Sequence, residues 1–384
     1  MKTSVSLSRW VQQTVWPRRG LIGWIGYAVL RPASGLFGVG VTMRNLAYDV
    51  GLFRVQRAAV PIVSVGNLAV GGTGKTPFTL WLSRALSARG YRVAILSRGY
   101  GGSARDVTVV SRGEGPEVSA AEVGDEPVML AKSFSGPVIT AARRVEGAAA
   151  AVALGCDVVV LDDGFQHRAL ARNVDLVLLD GRSGPLLPAG PFRERLRALR
   201  RADAIILADQ SDAFSSREPS GSALVPRWAA VKPVHRVRIR PTALVSAVAG
   251  RWQERPLSEM AGRRVVAVTG IARPEGFYAL LHQWEAQVDE VFEFPDHHAY
   301  TQADWQRITR HARETDLVVT TEKDLVKLET FPFEVGKLVA VRIEPAVERA
   351  EELIEGIVGK AGLRAGPPPS IPRVAVSSNR GDRE

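Results

Sequence analysis

Cysteine is nearly absent from this chain: Cys156 stands alone in 384 residues. An internal disulfide is therefore excluded, and a reducing compartment suits the chain. The adjacent histidines of FPDHH lack the further Cys or His that a zinc site needs. Also missing is an unbroken apolar run of the roughly 20 residues required to span a bilayer. The nearest approach, LIGWIGYAVLRPASGLFGVGV at 21–41, is interrupted by Arg31 and Pro32. No small-residue cleavage site follows a short hydrophobic core, which argues against a signal peptide. There is no internal repeat.

What remains describes a folded chain. Apolar content of 46% with 23% charged residues is ordinary for a globular protein, and 384 residues suffice for two cores. The net charge of +10, mostly arginine, suits phosphates, nucleic acid or a membrane surface, and equally a general arginine bias. Around 21–41, Arg9, Arg18 and Arg19 precede and Arg44 follows, with Trp10, Trp16, Trp24 and Tyr27 interleaved. Basic flanks with Trp and Tyr predict a segment at 1–50 lying in a membrane interface; a core helix with one apolar face is the alternative.

From Pro61 onward, continuous apolar runs alternate with helical stretches: PIVSV, YRVAILS, DVVVLDD, VDLVLLD and ADAIILAD. Such runs predict strands buried on both faces, hence a parallel sheet with helices on each side. Asp162, Asp163, Asp180 and Asp209 end these runs, at the sheet edge where ligands bind. A Ser/Pro/Gly-rich stretch at 211–225 predicts a surface loop closing a first α/β domain at 51–228. VHRVRIRP then predicts an extended connector into a smaller α/β domain at 229–362, before a Pro/Ser/Arg-rich tail at 363–384 with the composition of disorder.

The stretch VGNLAVGGTGKTP follows the first of these strands. Gly71, Gly72 and Gly74 let successive amide N–H groups point at one anion, with the positive end of the next helix behind them. Lys75 can reach terminal phosphates and Thr76 can offer a hydroxyl to Mg²⁺. Pro77 falls in the first helical turn, where its missing N–H costs nothing. Ala69, however, replaces the first Gly of the usual loop, and Val70 stands where partitioning ATPases carry a signature lysine.

Asp162 and Asp163 of DVVVLDDGFQH can hold a metal directly or through water, with Gln166 and His167 on the adjoining turn. A solvated Asp-Asp-Gly turn is the plainer alternative. In GDEPVML, Asp125 is placed to cap a helix as its N-cap, with Glu126 and Pro127 in the first turn; an N-cap aspartate can still be catalytic. In FPDHHAYTQAD, Asp296, His297 and His298 precede a helix that Thr301 and Asp304 can cap. A histidine there is suited to polarising an acid or hydroxyl.

Taken in order, VGNLAVGGTGKTP, SRGYGG, GDEPVML, DDGFQHRALARNVDLVLLDG, LLPAGPFRERLRALRRADA, FPDHHAY and TTEKDLVKL resemble the tetraacyldisaccharide 4'-kinase family. That resemblance implies a P-loop domain and a smaller α/β domain with the site between them. The implied reaction moves the γ-phosphate of ATP, with Mg²⁺, to the 4'-hydroxyl of an acylated glucosamine disaccharide 1-phosphate, giving lipid IVA in lipid A biosynthesis. The implied location is the cytoplasmic face of the bacterial inner membrane, peripheral or monotopic, with no nucleic acid and no obligatory protein partner. It further implies that Gly71, Gly72, Thr73, Gly74, Lys75 and Thr76 form the phosphate loop. Thr76, Asp162 and Asp163 then serve the metal, and Gln166 and His167 line the nucleotide site. Asp125 becomes the catalytic base, paired with His297 rather than His298. Tyr100, Arg193, Glu194 and Lys323 match motif positions without an implied role.

Two other readings of the loop stand beside this one. A membrane-docked GTP switch would need an Asn/Thr-Lys-x-Asp segment, which TEKD at 321–324 matches only loosely. A small-molecule ligase or kinase would leave the N-terminal apolar segment without a purpose.

Overall fold

A computed structural model describes residues 10–364 apart from 183, 210–230, 249, 272 and 273. The stretch at 211–225 and the tail beyond 364 lie outside the described residues. Helix α1 (Gly20–Asp49) leads into β1 (Ile62–Asn67), α2 (Lys75–Ser87), β2 (Val93–Ser97) and β3 (Thr108–Ser111). A single helical turn then precedes α3 (Asp125–Ser133), β4 (Val138–Thr140), α4 (Arg144–Ala153), β5 (Val158–Asp162), β6 (Val174–Leu179) and β7 (Ala204–Asp209). The second half comprises β8 (Val234–Val248), β9 (Arg251–Arg255), β10 (Arg264–Thr269), α5 (Glu275–Gln283), β11 (Gln287–Glu293) and α6 (Gln302–Ala312). It ends in β12 (Leu317–Thr321), α7 (Glu322–Leu328), β13 (Leu338–Val347) and α8 (Ala350–Ala361).

All the strands join one ladder in the order β3-β4-β2-β5-β1-β6-β7-β8-β13-β12-β10-β11, with β9 also on β8. The central strands β2, β5, β1, β6 and β7 pair in parallel. Their Val/Ile/Leu runs are buried on both faces, as continuous apolar strands require. Helices α2, α3 and α8 pack one face through Phe78, Leu82, Leu86, Leu130 and Ile357. Helix α4 packs the other through Ala148 and Ala151.

The predicted connector is strand β8, which joins the two halves by hydrogen bonds. Its start pairs in parallel with β7 and its middle runs antiparallel to β13. The chain then returns: Leu353, Ile354 and Ile357 of α8 are buried in the core of the first half.

Pro32, which interrupts the apolar run, sits inside one continuous helix, α1. Both Pro32 and Ala28, whose carbonyl loses its helical donor, are exposed, so the lost bond is not sealed in a core. The helix buries only Gly23, Ser34 and Gly38. Ser34 donates to the Leu186 carbonyl at 2.8 Å, and a Cβ on Gly38 would come within 2.8 Å of Leu186 Cδ1. Leu21, Ile22, Val29, Leu36, Val39 and Met43 instead point outward, each more than half exposed. The core-helix alternative fails on this exposure. Among the described residues no helix is long and apolar enough to cross a membrane.

Candidate active site

The loop after β1 wraps between strand and helix through two left-handed glycines, Gly71 at φ 99° and Gly74 at φ 79°. Gly74 occupies the N-cap of α2, so Lys75 and Thr76 open the helix with their backbone amides unspent. Thr73 is buried and accepts from Asn67 Nδ2 at 2.8 Å, pinning the loop from beneath. Ala69 has a local explanation. It bridges antiparallel to Phe192, Val70 N donates to the Pro191 carbonyl, and Arg193 N donates to the Leu68 carbonyl. The loop therefore enters as a short extended strand, where any L-residue fits, and the Ala69 methyl is buried beside Leu68, Phe165 and Phe192.

Asp162 is the last residue of β5, and Asp163 follows in a left-handed conformation at φ 56°. The two carboxylates diverge. Asp162 accepts from Thr79 at 3.0 Å and from Thr76 at 3.3 Å. Burial, then Glu126 and Asp163, push it up to about 7. Asp163 meets Lys75 Nζ at 3.7 Å and Arg193 Nη1 at 2.7 Å. Burial acts upward on it too, but those two cations outweigh burial and hold it below the usual carboxylate range.

Gln166 donates to the Asn67 carbonyl at 2.9 Å, tying the β5 turn to the loop strand. His167 is pushed down to about 4 by burial and by Arg144, Arg172 and Arg98, so it is neutral. Thr76, Asp162 and Asp163 present only oxygen, the donor set of Mg²⁺. The buried Asp163 Oδ1 has no hydrogen-bond partner, and the raised Asp162 is where a cation would be welcome. Among the described residues no group of three or more His, Cys, Asp or Glu could hold a metal alone. A Mg²⁺ here would thus need phosphate oxygens as well, its common mode.

Asp125 is not the N-cap expected of it. Gly124 takes that place at φ 92°, and Asp125 is the first residue of α3 with no capping bond. Only glycine fits at 124, because a Cβ there would lie 2.3 Å from the Tyr100 carbonyl of the SRGYGG loop. The Asp125 carboxylate is thereby freed to cross to the second half of the chain. It accepts from Lys327 Nζ at 2.9 Å and faces His297 Nδ1 at 3.4 Å. Burial works upward on Asp125, but the hydrogen bonds from His297 and Lys327 prevail and keep it below its ordinary value.

The two histidines of FPDHH part company at His297, whose backbone is left-handed at φ 59°. His297 turns toward Asp125, with Tyr100 edge-on at 5.8 Å. His298 turns inward, stacks on Phe294 at 4.6 Å and meets Asp304 at 3.0 Å. Thr301 and Asp304 form the expected capping box of α6. Lys323 reaches Asp296 at 2.7 Å and His297 Nε2 at 3.1 Å. Glu194, nearly fully buried, is paired by Arg201 at 3.0 Å and by Asn45 of α1 at 2.6 Å.

Two charged groups at this edge escaped the sequence reading. Lys327 sits in TEKDLVKL, where a lysine four residues after Lys323 reads as a solvated helix face. Arg144 opens α4 almost fully buried, donates to the Ala141 carbonyl at 2.7 Å, and leaves Nε without a partner. Burial and the nearby Arg98 lower it to about 10. It lies within electrostatic reach of Asp162 and Asp163.

The chain is similar to known proteins along most of its length. The family model described as tetraacyldisaccharide-1-P 4'-kinase matches residues 27–360. A tetraacyldisaccharide 4'-kinase of Anaeromyxobacter sp. (strain K) is 41% identical over 378 residues, covering 95% of this chain and 99% of that protein. One from Methylobacillus flagellatus is 36% identical over 332 residues, 85% of this chain and 89% of its own. Among solved structures, LpxK from Aquifex aeolicus in complex with ATP superimposes with a TM-score of 0.72 at 32% identity, covering 87% of this chain and 99% of that one. The chain belongs to the tetraacyldisaccharide-1-P 4'-kinase family.

Proposed function

We propose the following division of labour for the ATP-dependent 4'-phosphorylation that this family carries out in lipid A biosynthesis. ATP lies on the loop 71–76, its phosphates met by loop amides, the start of α2 and Lys75. Thr76, Asp162 and Asp163 would hold Mg²⁺, which when bound offsets charge on the phosphates. Arg144 adds positive charge within electrostatic reach of both carboxylates, with Arg98 near it. The acceptor is an acylated glucosamine disaccharide 1-phosphate whose 4'-hydroxyl lies against Asp125.

The observation that carries this reading is the meeting of Asp125 with His297 at the edge shared with the phosphate loop. A sugar hydroxyl is a poor nucleophile, and an ionised carboxylate against its proton assists attack on phosphorus. As the new O–P bond forms and the bond to the ADP oxygen breaks, the hydroxyl proton passes to Asp125. His297 holds the carboxylate in orientation. The greater share of the acceleration comes from alignment of donor and acceptor and from fixed positive charge around the transferring group.

The apolar face of α1 supports binding at a membrane interface, where a four-chain acceptor resides. Extracting such a lipid would cost roughly 0.8 kcal/mol per CH₂. ATP is the phosphoryl donor, so the surface we assign is the cytoplasmic leaflet of the inner membrane. Transfer of label from γ-³²P-ATP to the acylated disaccharide in the presence of Mg²⁺ tests the reading. Lys75→Ala should lose transfer while the melting curve is kept; near-normal turnover would count against the loop assignment.

A further inference from the structure

Helix α7 belongs to the second half of the chain, whereas Asp125 opens α3 in the first. Lys323 and Lys327 stand one helical turn apart on α7, so both project from one face. Lys327 Nζ lies 2.9 Å from Asp125 Oδ2 and 3.8 Å from Asp324 Oδ1. Asp324 is fully buried and spends Oδ2 on Gly270 N and Thr321 Oγ1. Lys327 is thus a cation held between two carboxylates, with the Tyr300 ring 5.5 Å away. Its side chain and that of Asp125 are about equally shielded, at 14% and 13% exposure. Lys323, meanwhile, lies 3.1 Å from His297 Nε2. An ammonium only donates, so Nε2 must accept and the ring proton belongs on Nδ1, which faces Asp125.

We propose that Lys327 and Lys323 are positioning residues of the phosphoryl-transfer site: Lys327 orients Asp125 and keeps it ionised, and Lys323 fixes His297 as an Nδ1–H donor to the same carboxylate. The proposal rests on Asp125 being the base. His297 is then an orienting donor and does not receive the proton, which stays on Asp125 until product leaves. Because the two lysines come from the opposite half of the chain, the base is set only when α7 sits against α3. A second ion pair at the far end of α3, Lys132 with Glu329 at 2.7 Å, holds the same two elements together. Among the described residues, the other charged and titratable groups around Asp125 and His297 are Glu126 on α3, Tyr100 edge-on to His297, Asp296 and Tyr300 on the loop before α6, and Asp324 on α7. Of these, Glu126 and Asp296 are met by Lys323, and Asp324 by Lys327.

The test uses full-length protein with ATP, Mg²⁺ and the acylated disaccharide 1-phosphate in mixed micelles. An ionised Asp125 is needed, so kcat/KM should fall as pH drops through its depressed pKa. Removing the cation should move that acid limb upward by about one unit or more. We expect Lys327→Gln to show this shift with kcat lowered at least tenfold, Lys327→Arg to restore much of both, and the KM for ATP to stay within threefold. In ¹⁵N-histidine spectra the His297 signal, assigned by its loss in His297→Asn, should report Nδ1–H and change tautomer in Lys323→Met. Asp125→Asn is measured alongside. An inactive Asp125→Asn with an unmoved acid limb in Lys327→Gln overturns the lysine proposal and leaves the base standing. An active Asp125→Asn overturns the base itself. Loss of ATP binding or of the melting transition in both Lys327 variants would make the lysine a fold element only, which also overturns the proposal.

Discussion

The outward face of α1 gives a prediction that can be worked from exposures. Leu21 is 77% exposed, Ile22 65% and Leu36 76%, so replacing all three by Gln removes apolar surface that no core covers. Burying a Leu or Ile side chain completely contributes about 1.5–3 kcal/mol. Scaled by these exposures, each contributes about 1–2 kcal/mol on entering an interface, and the three together about 3–6 kcal/mol. At 1.4 kcal/mol per decade, the triple variant should bind vesicles about 100-fold to 10,000-fold more weakly. The fold should hold, because the docked face of α1 is untouched and exposed substitutions shift stability by about 0.5 kcal/mol or less each. Co-sedimentation with vesicles of inner-membrane lipid composition measures partition, and a thermal melt controls for folding. Partition within threefold of the parent, with an unchanged melt, would refute the assignment of this face to the membrane. The docked face gives the contrast: Gly38→Leu drives a side chain into Leu186 and should loosen α1 itself.

Other consequences follow from the loop and its carboxylates. Ala69→Gly restores the usual loop pattern yet deletes a buried methyl from an extended bridge, so it should cost about 1 kcal/mol of stability and leave ATP affinity unchanged. Tighter ATP binding in that variant would contradict the account of Ala69. Gly66→Ala should destabilise by about 1–3 kcal/mol, since its Cβ would lie 2.4 Å from Phe165 Cβ; an unchanged melting midpoint would refute this packing. Asp162→Asn should raise the Mg²⁺ concentration for half-maximal transfer by about tenfold or more, read from a metal titration, and an unaltered requirement would remove Asp162 from the metal.

Much of the fold was legible because five apolar runs, each too continuous for a half-exposed strand, could only be strands covered on both faces. The tight turn after β1 was legible too, since Gly71, Gly72 and Gly74 ahead of Lys75 let the chain curl there. What escaped depended on contacts distant in sequence. Asp125 looks like a cap until the Tyr100 carbonyl reserves position 124 for glycine. The Asp125–Lys327 pair spans 202 residues, so no local pattern announces it. His297 and His298 differ in sequence by nothing but order; with a left-handed backbone at the first, one turns toward Asp125 and the other onto Phe294. The single ladder through β8 likewise required pairing partners on both sides, whereas alternation in VHRVRIRP gave only extension.

The central claim is that Asp125 accepts the proton of the acceptor hydroxyl while the phosphate loop holds ATP independently of it. Single-turnover transfer by Asp125→Asn, with ATP affinity measured on the same preparation, tests both parts at once. General-base assistance contributes about 100-fold to 10,000-fold, so transfer should slow by that range with ATP affinity unchanged. Transfer within threefold of the parent rate at intact ATP affinity would contradict it.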